Sequence, residues 1–329
     1  MDKQERGKNG NENRLFAALG APTEPKVAGG AFSAAAIFTP ILSLIFSVFV
    51  LAAVGAVDVE NPPDWYLYAN FLLPQISFAA VLLVCLLWTK TPFTAAIKKQ
   101  TSCRPVWFFV AILLQAGLLC LSQLNGWFLK LLGNFGYQET EILLPSVQGG
   151  GLIGVLLAVA VLPAIFEEAF FRGVLLRGVK SFGEVGGALL CGALFSLYHQ
   201  NPSQTVYQFV CGTAFAWVAI RSGSILPTVL AHFLNNALII FDYKFQFLAG
   251  ADLPILIVSI LCAVASVLFF VLEKIFSDRK KRVKENTADA AWESAPPKKK
   301  EKKKQFFLTA AIGVFLCALV WILNFVSGL

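Results

Sequence analysis

Apolar residues in this chain come in long unbroken runs, without the stripe of an amphipathic helix or the alternation of a strand. They fill residues 31–57, 65–88, 106–124, 149–166, 185–198, 205–220, 224–241, 254–276 and 306–329. A helix needs about 20 such residues to cross roughly 30 Å of hydrocarbon, and most of the runs approach or exceed that length; the fifth and sixth are the shortest. The pattern predicts an all-α polytopic integral membrane protein with about eight core transmembrane helices and one further C-terminal helix. Composition agrees: 57% of the residues are hydrophobic and only 14% charged, whereas a soluble domain has about 45–50% apolar and about 25% charged residues.

Polar sequence divides the chain. A head, 1–28, precedes the membrane core, 29–276; a lysine-rich linker, 277–305, separates that core from the last apolar run, 306–329. The head has neither an apolar segment nor a cleavage site of signal-peptide type, so the first run is expected to act as an uncleaved anchor. The linker reads as a disordered cytoplasmic segment lying against anionic lipid headgroups. It lacks interleaved aromatic residues, and no nucleic-acid partner is expected. Placing the N-terminus in the cytoplasm puts every Lys and Arg except Lys130 and Lys244 on the cytoplasmic side, as the positive-inside bias requires. Seven scattered cysteines, with no C-x-x-C spacing, read as small hydrophobes.

Ionisable groups inside hydrocarbon are expensive and mark functional sites. The only two histidines, His199 and His232, lie in apolar runs, and a third run carries Glu167, Glu168 and Arg172. Residues four apart share a helix face, so Glu168 and Arg172 are expected to form a structural, orienting ion pair that leaves Glu167 available for chemistry. His232 and Asn236 also share a face, and Asn235, three residues from His232, is a rival to Asn236. A carboxylate, a free imidazole and a His/Asn face suffice for hydrolysis. The carboxylate serves as general base for a water that one imidazole orients, and the other imidazole and the amide donate to a tetrahedral oxyanion.

Three ordered motifs, Glu167-Glu168-x-x-x-Arg172, Phe195-x-x-x-His199 and His232-x-x-x-Asn236, resemble those of the CAAX-protease and bacteriocin-processing family of intramembrane endopeptidases. Phe171-Arg172-Gly173 and Ile225-Leu226-Pro227 ahead of Ala231-His232 add to the likeness, which spans 152–238. The resemblance implies a membrane-embedded cavity in which Glu167 and His199 activate water while His232 and Asn236 stabilise the oxyanion. It also implies a membrane-associated protein or peptide substrate, either of C-a-a-X type or linked to bacteriocin maturation or immunity; the size and character of the chain suggest the plasma membrane of a bacterium as the location. No cofactor is favoured; the competing reading makes Glu167, His199 and His232 a His₂Glu ligand set for a catalytic zinc. A non-catalytic scaffold or a transporter is the remaining alternative, but a transporter would more often show internal repeats, and none is visible.

One expectation concerns depth. At 1.5 Å per residue, His199 lies roughly 28 Å beyond Lys180, against roughly 15 Å from Arg177 to Glu167. For the two to meet, the chain must break near residues 181–187, where Gly183, Gly186 and Gly187 favour a break.

Overall fold

The computed structural model describes residues 24–58, 60–89, 103–139, 142–285 and 299–329, with side chains except at 278–285 and 299. The described residues are mostly helical, with no strand. In chain order the helices are α1 (Pro25–Ala53), α2 (Asp64–Trp88), α3 (Val106–Leu118), α4 (Leu121–Gly133) and α5 (Gly151–Gly178). They continue with α6 (Gly183–Tyr198), α7 (Thr205–Ser222), α8 (Leu226–Phe245), α9 (Asp252–Glu285) and α10 (Lys299–Ser327). α3 and α4 continue as one span, and seven spans among the described residues are long and apolar enough to cross a membrane. The protein is therefore an all-α polytopic membrane protein.

The expected runs 205–220 and 224–241 are helical, as α7 and α8, and long enough to cross a membrane, yet neither is apolar enough to count as a span. Their hydropathy is diluted by Gln208, Arg221, His232, Asn235 and Asn236. These residues turn to the protein interior, where hydrogen bonds and ion pairs replace water. The surface shows the reverse: Leu44, Val48 and Phe49 on α1 and Leu261, Val264 and Val267 on α9 are more than half exposed, as helices facing lipid require.

Three boundaries differ from the sequence expectation. The fourth run continues past residue 166 through the charged Glu167 to Arg172 segment to Gly178, close to Leu176, where the otherwise hydrophobic stretch from Gly149 ends in the sequence. Glu168 and Arg172 pair with each other inside the protein and do not end the helix. The first helix begins at Pro25, inside the expected polar head. The segment read as a disordered linker is helical at both ends, since α9 runs on to Glu285 and α10 starts at Lys299; residues 286–298 and 1–23 lie outside the described residues. The expected break is present, with a short 3₁₀ turn at Lys180–Phe182 followed by Gly183 at φ 79°, a conformation that favours glycine.

The last helix is no appendage. α10 lies along α1, and Phe306, Ala310 and Cys317 belong to the same buried cluster as Phe32, Phe78, Phe171 and Phe195. Lipid tails are as apolar as leucine, so helices in a membrane associate through close contact and hydrogen bonds. Ser33 Oγ donates to Thr309 O (2.7 Å) and accepts from Gly313 N (3.0 Å). A Cβ on Gly313 would sit 2.7 Å from Ser33 Cα, and one on Gly29 would sit 2.5 Å from Phe306 O. Gly313→Leu is accordingly expected to prise α10 from α1 and to lower stability by roughly 1–3 kcal/mol, the usual cost of overpacking. Thermal unfolding in detergent would measure the loss.

Candidate active site

α5 presents the acidic residues from a helix of uneven winding. Leu162–Glu168 is α-helical, but Leu156–Val161 before it and Ala169–Leu175 after it are π-helical. Pro163 stands at the start of the middle segment. It has no N–H, so the carbonyl of Val159, four residues earlier, loses the donor that an α-helix would supply. π turns are wider than α turns and are often found at functional sites. This winding buries Glu168 and leaves Glu167 half-buried.

Glu168 and Arg172 pair as their spacing predicts, with Arg172 Nη1 donating to Glu168 Oε1 at 2.7 Å and both side chains fully buried. Arg172 Nη2 donates to Gly212 O at 3.0 Å, and the guanidinium lies 4.6 Å from the Phe195 ring centroid and 5.5 Å from that of Phe215. The close approach depends on glycine. A Cβ on Gly192 of α6 would meet Thr213 Oγ1 of α7 at 2.1 Å, so any larger residue there would push α7 and the Gly212 carbonyl away.

Glu168 has a second partner that spacing alone does not reveal: His232 Nδ1 is 3.1 Å from the same Oε1. A carboxylate oxygen accepts, so the proton is on Nδ1, and Nε2 is the end of the ring left for chemistry. Glu168 therefore orients His232 as well as pairing with Arg172.

His199 ends α6. Its Nδ1 is 2.8 Å from Phe195 O; a carbonyl only accepts, so here too Nδ1 carries the proton and Nε2 is free. The Phe195 ring lies between the two imidazoles, with its centroid 4.6 Å from that of His199 and 6.0 Å from that of His232. Glu167 lies in the same region as His199 and Tyr198. Gln75 Nε2 of α2 donates to Glu167 Oε1 at 3.3 Å, while the buried Gln75 Oε1 has no partner among the described residues. Beyond His199 the chain turns through Gln200 at φ 54°. Asn324 Nδ2 of α10 donates to Gln200 O at 2.8 Å, and Trp321 Nε1 donates to Thr205 Oγ1 at 2.8 Å. α10 thus braces the loop that carries His199.

Asn236 Nδ2 donates to Val159 O at 2.9 Å. Its rival Asn235 is differently engaged: Asn235 Oδ1 accepts from Gln115 Nε2 (2.8 Å) and Tyr207 Oη (2.5 Å), and Asn235 Nδ2 donates to Asn236 Oδ1 (3.1 Å). The site region thus gathers Glu167, Glu168 and Arg172 from α5, His199 from α6, and His232 with Asn236 from α8.

Residues 149–238 match the family model of type II CAAX prenyl endopeptidases, Rce1-like. This Rce1-like region, well under half of the chain, holds every charged residue and both histidines of the site. No curated protein and no solved structure matches the chain.

Gln75, Gln115 and Tyr207 were missed by the sequence reading, and Gln75 and Gln115 lie outside the Rce1-like region. A signal existed, because each is a polar residue within an apolar helix and such residues turn inward; nothing in the sequence says which inward neighbour they meet. As to metal, no group of three or more His, Cys, Asp or Glu side chains among the described residues is arranged to hold an ion.

Proposed function

We propose that this protein is an intramembrane endopeptidase that hydrolyses a peptide bond of a membrane-associated protein or peptide, using Glu167 and His199 to activate water. The observation that carries this reading is the convergence of a half-buried carboxylate, two imidazoles with free Nε2 ends and an asparagine amide within one Rce1-like region. Glu167 takes a proton from a water that His199 Nε2 orients. The water oxygen bonds to the scissile carbonyl carbon, and the negative charge developing on the carbonyl oxygen is met by Asn236 Nδ2–H and by His232 Nε2, which donates when both ring nitrogens carry protons. As the tetrahedral intermediate collapses, the C–N bond breaks and Glu167 returns its proton to the leaving amine.

The substrate class that the family description favours is a prenylated protein ending in C-a-a-X; a bacteriocin precursor is the competing class. The mechanism is read as metal-independent, because Glu168 is committed to Arg172 and His232, so that no second carboxylate is left as base if Glu167 were a zinc ligand. The protein is read as residing in a bacterial plasma membrane with its N-terminus in the cytoplasm. Its lysine-rich segment then faces anionic headgroups.

The test is a farnesylated peptide ending in C-a-a-X, incubated with the purified protein in liposomes and followed by mass spectrometry with and without a strong zinc chelator. Release of the last three residues, unaffected by chelator, is expected. Loss of release under chelator would establish the zinc mechanism, and the absence of any release would overturn the C-a-a-X assignment. Asn236→Ala is expected to slow release roughly 10²- to 10³-fold, the usual effect of losing one oxyanion donor.

A further inference from the structure

Asn236 is useful as an oxyanion donor only if its amide nitrogen, and not its carbonyl oxygen, faces the reacting carbonyl. A terminal carboxamide turns easily about its last torsion, and the two orientations have almost the same shape. A device that fixes the orientation is therefore worth seeking, and it is present in the side chains behind Asn236. We infer that Asn235, Gln115 and Tyr207 form a relay of positioning residues that locks the Asn236 carboxamide in its donor orientation.

The directions in the relay are set from the Val159 end, where a backbone carbonyl can only accept. The Val159 carbonyl can only accept, so the group 2.9 Å from it must be Asn236 Nδ2, and Asn236 Oδ1 must face the other way. Asn236 Oδ1 can only accept, so the group 3.1 Å from it must be Asn235 Nδ2. That turns Asn235 Oδ1 toward Gln115 Nε2 and Tyr207 Oη, two donors at 2.8 and 2.5 Å. Flipping Asn236 would oppose two nitrogens at Asn235 and two oxygens at Val159; flipping Asn235 as well would set its nitrogen against Gln115 Nε2 and force the Gln115 carboxamide, whose buried Oε1 has no partner among the described residues, to turn too. Asn235 and Gln115 are both more than nine-tenths buried, where water cannot readily replace a lost partner. The relay joins four helices: α3 (Gln115), α7 (Tyr207), α8 (the asparagines) and, through Val159, α5.

The inference rests on the proposed role of Asn236, and its test separates the two. Gln115→Leu and Tyr207→Phe are made alone and in an Asn236→Ala background. Turnover is read from release of the C-a-a-X tripeptide, and stability from thermal midpoints in detergent. In the parent protein each substitution is expected to lower kcat roughly 2- to 10-fold, the effect of one hydrogen bond, with KM nearly unchanged. In the Asn236→Ala background neither should lower kcat further. Equal losses in both backgrounds would overturn the relay, because the residues would then act on packing alone. If Asn236→Ala leaves turnover unchanged, or the parent shows none, the catalytic reading fails while the midpoints still decide the relay. Gln115 and Asn236 are not hydrogen-bonded to each other, so their losses of thermal midpoint add if they are independent and fall short of the sum if Asn235 couples them. Should Gln115→Leu fail to fold, Tyr207→Phe, which removes only one hydroxyl, serves in both arms.

Discussion

Glu167→Gln is expected to reduce turnover by at least ~10³-fold while leaving the protein folded, because an amide keeps the shape of the side chain but cannot take a proton from water. The fold should tolerate the change. Glu167 is half-buried, and the hydrogen bond its Oε1 accepts from Gln75 Nε2 can be received by the new carboxamide oxygen just as well. Release of tripeptide and the thermal midpoint, measured on the same preparation, check both halves of the expectation. Turnover that survived in the variant would move the role of base to another group. A collapse of the fold would show that Glu167 is structural.

Glu168→Gln is expected to have the opposite profile, with a large loss of stability. Removing the carboxylate leaves the Arg172 guanidinium fully buried with its charge uncompensated, at a cost of about 3–5 kcal/mol. His232 also loses the anionic acceptor that orients it, since a single amide oxygen must then serve both Arg172 and His232. The double variant Glu168→Gln/Arg172→Met removes both charges and should recover much of the stability, as buried pairs replaced together often do. It should not recover turnover, because His232 still lacks its partner. Thermal unfolding together with tripeptide release, measured on the parent, the single and the double variants, distinguishes this from a role confined to helix packing, in which the double variant would regain activity along with stability.

Much of the architecture was legible because a membrane imposes a simple rule: only long apolar helices or closed barrels can cross it. The helical class and the i, i+4 pairing of Glu168 with Arg172 followed from that rule and from helix geometry. The partners of the charges at 167–172 were not legible, because Gly212 and His232 lie 40 and 64 residues away. The packing of α10 on α1 was hidden for a similar reason. It joins Ser33 to Gly313, 280 residues apart, through small side chains that look like any others in an apolar run. Asn235 and Asn236 could not be separated by periodicity, since both share much of the His232 face; they are separated by Val159 O on one side and by Gln115 with Tyr207 on the other.

The most direct test of the central claim, that Glu167 drives peptide-bond hydrolysis within the membrane, compares peptide termini in membranes of cells expressing either the parent chain or Glu167→Gln at matched levels. The prediction is a set of new termini in the parent that is absent from the variant and persists under a strong zinc chelator, with the residues at the cut identifying the substrate class. Identical termini in the two membranes, in a host shown to contain C-a-a-X proteins in prenylated form, would contradict the claim and favour a scaffold or transporter.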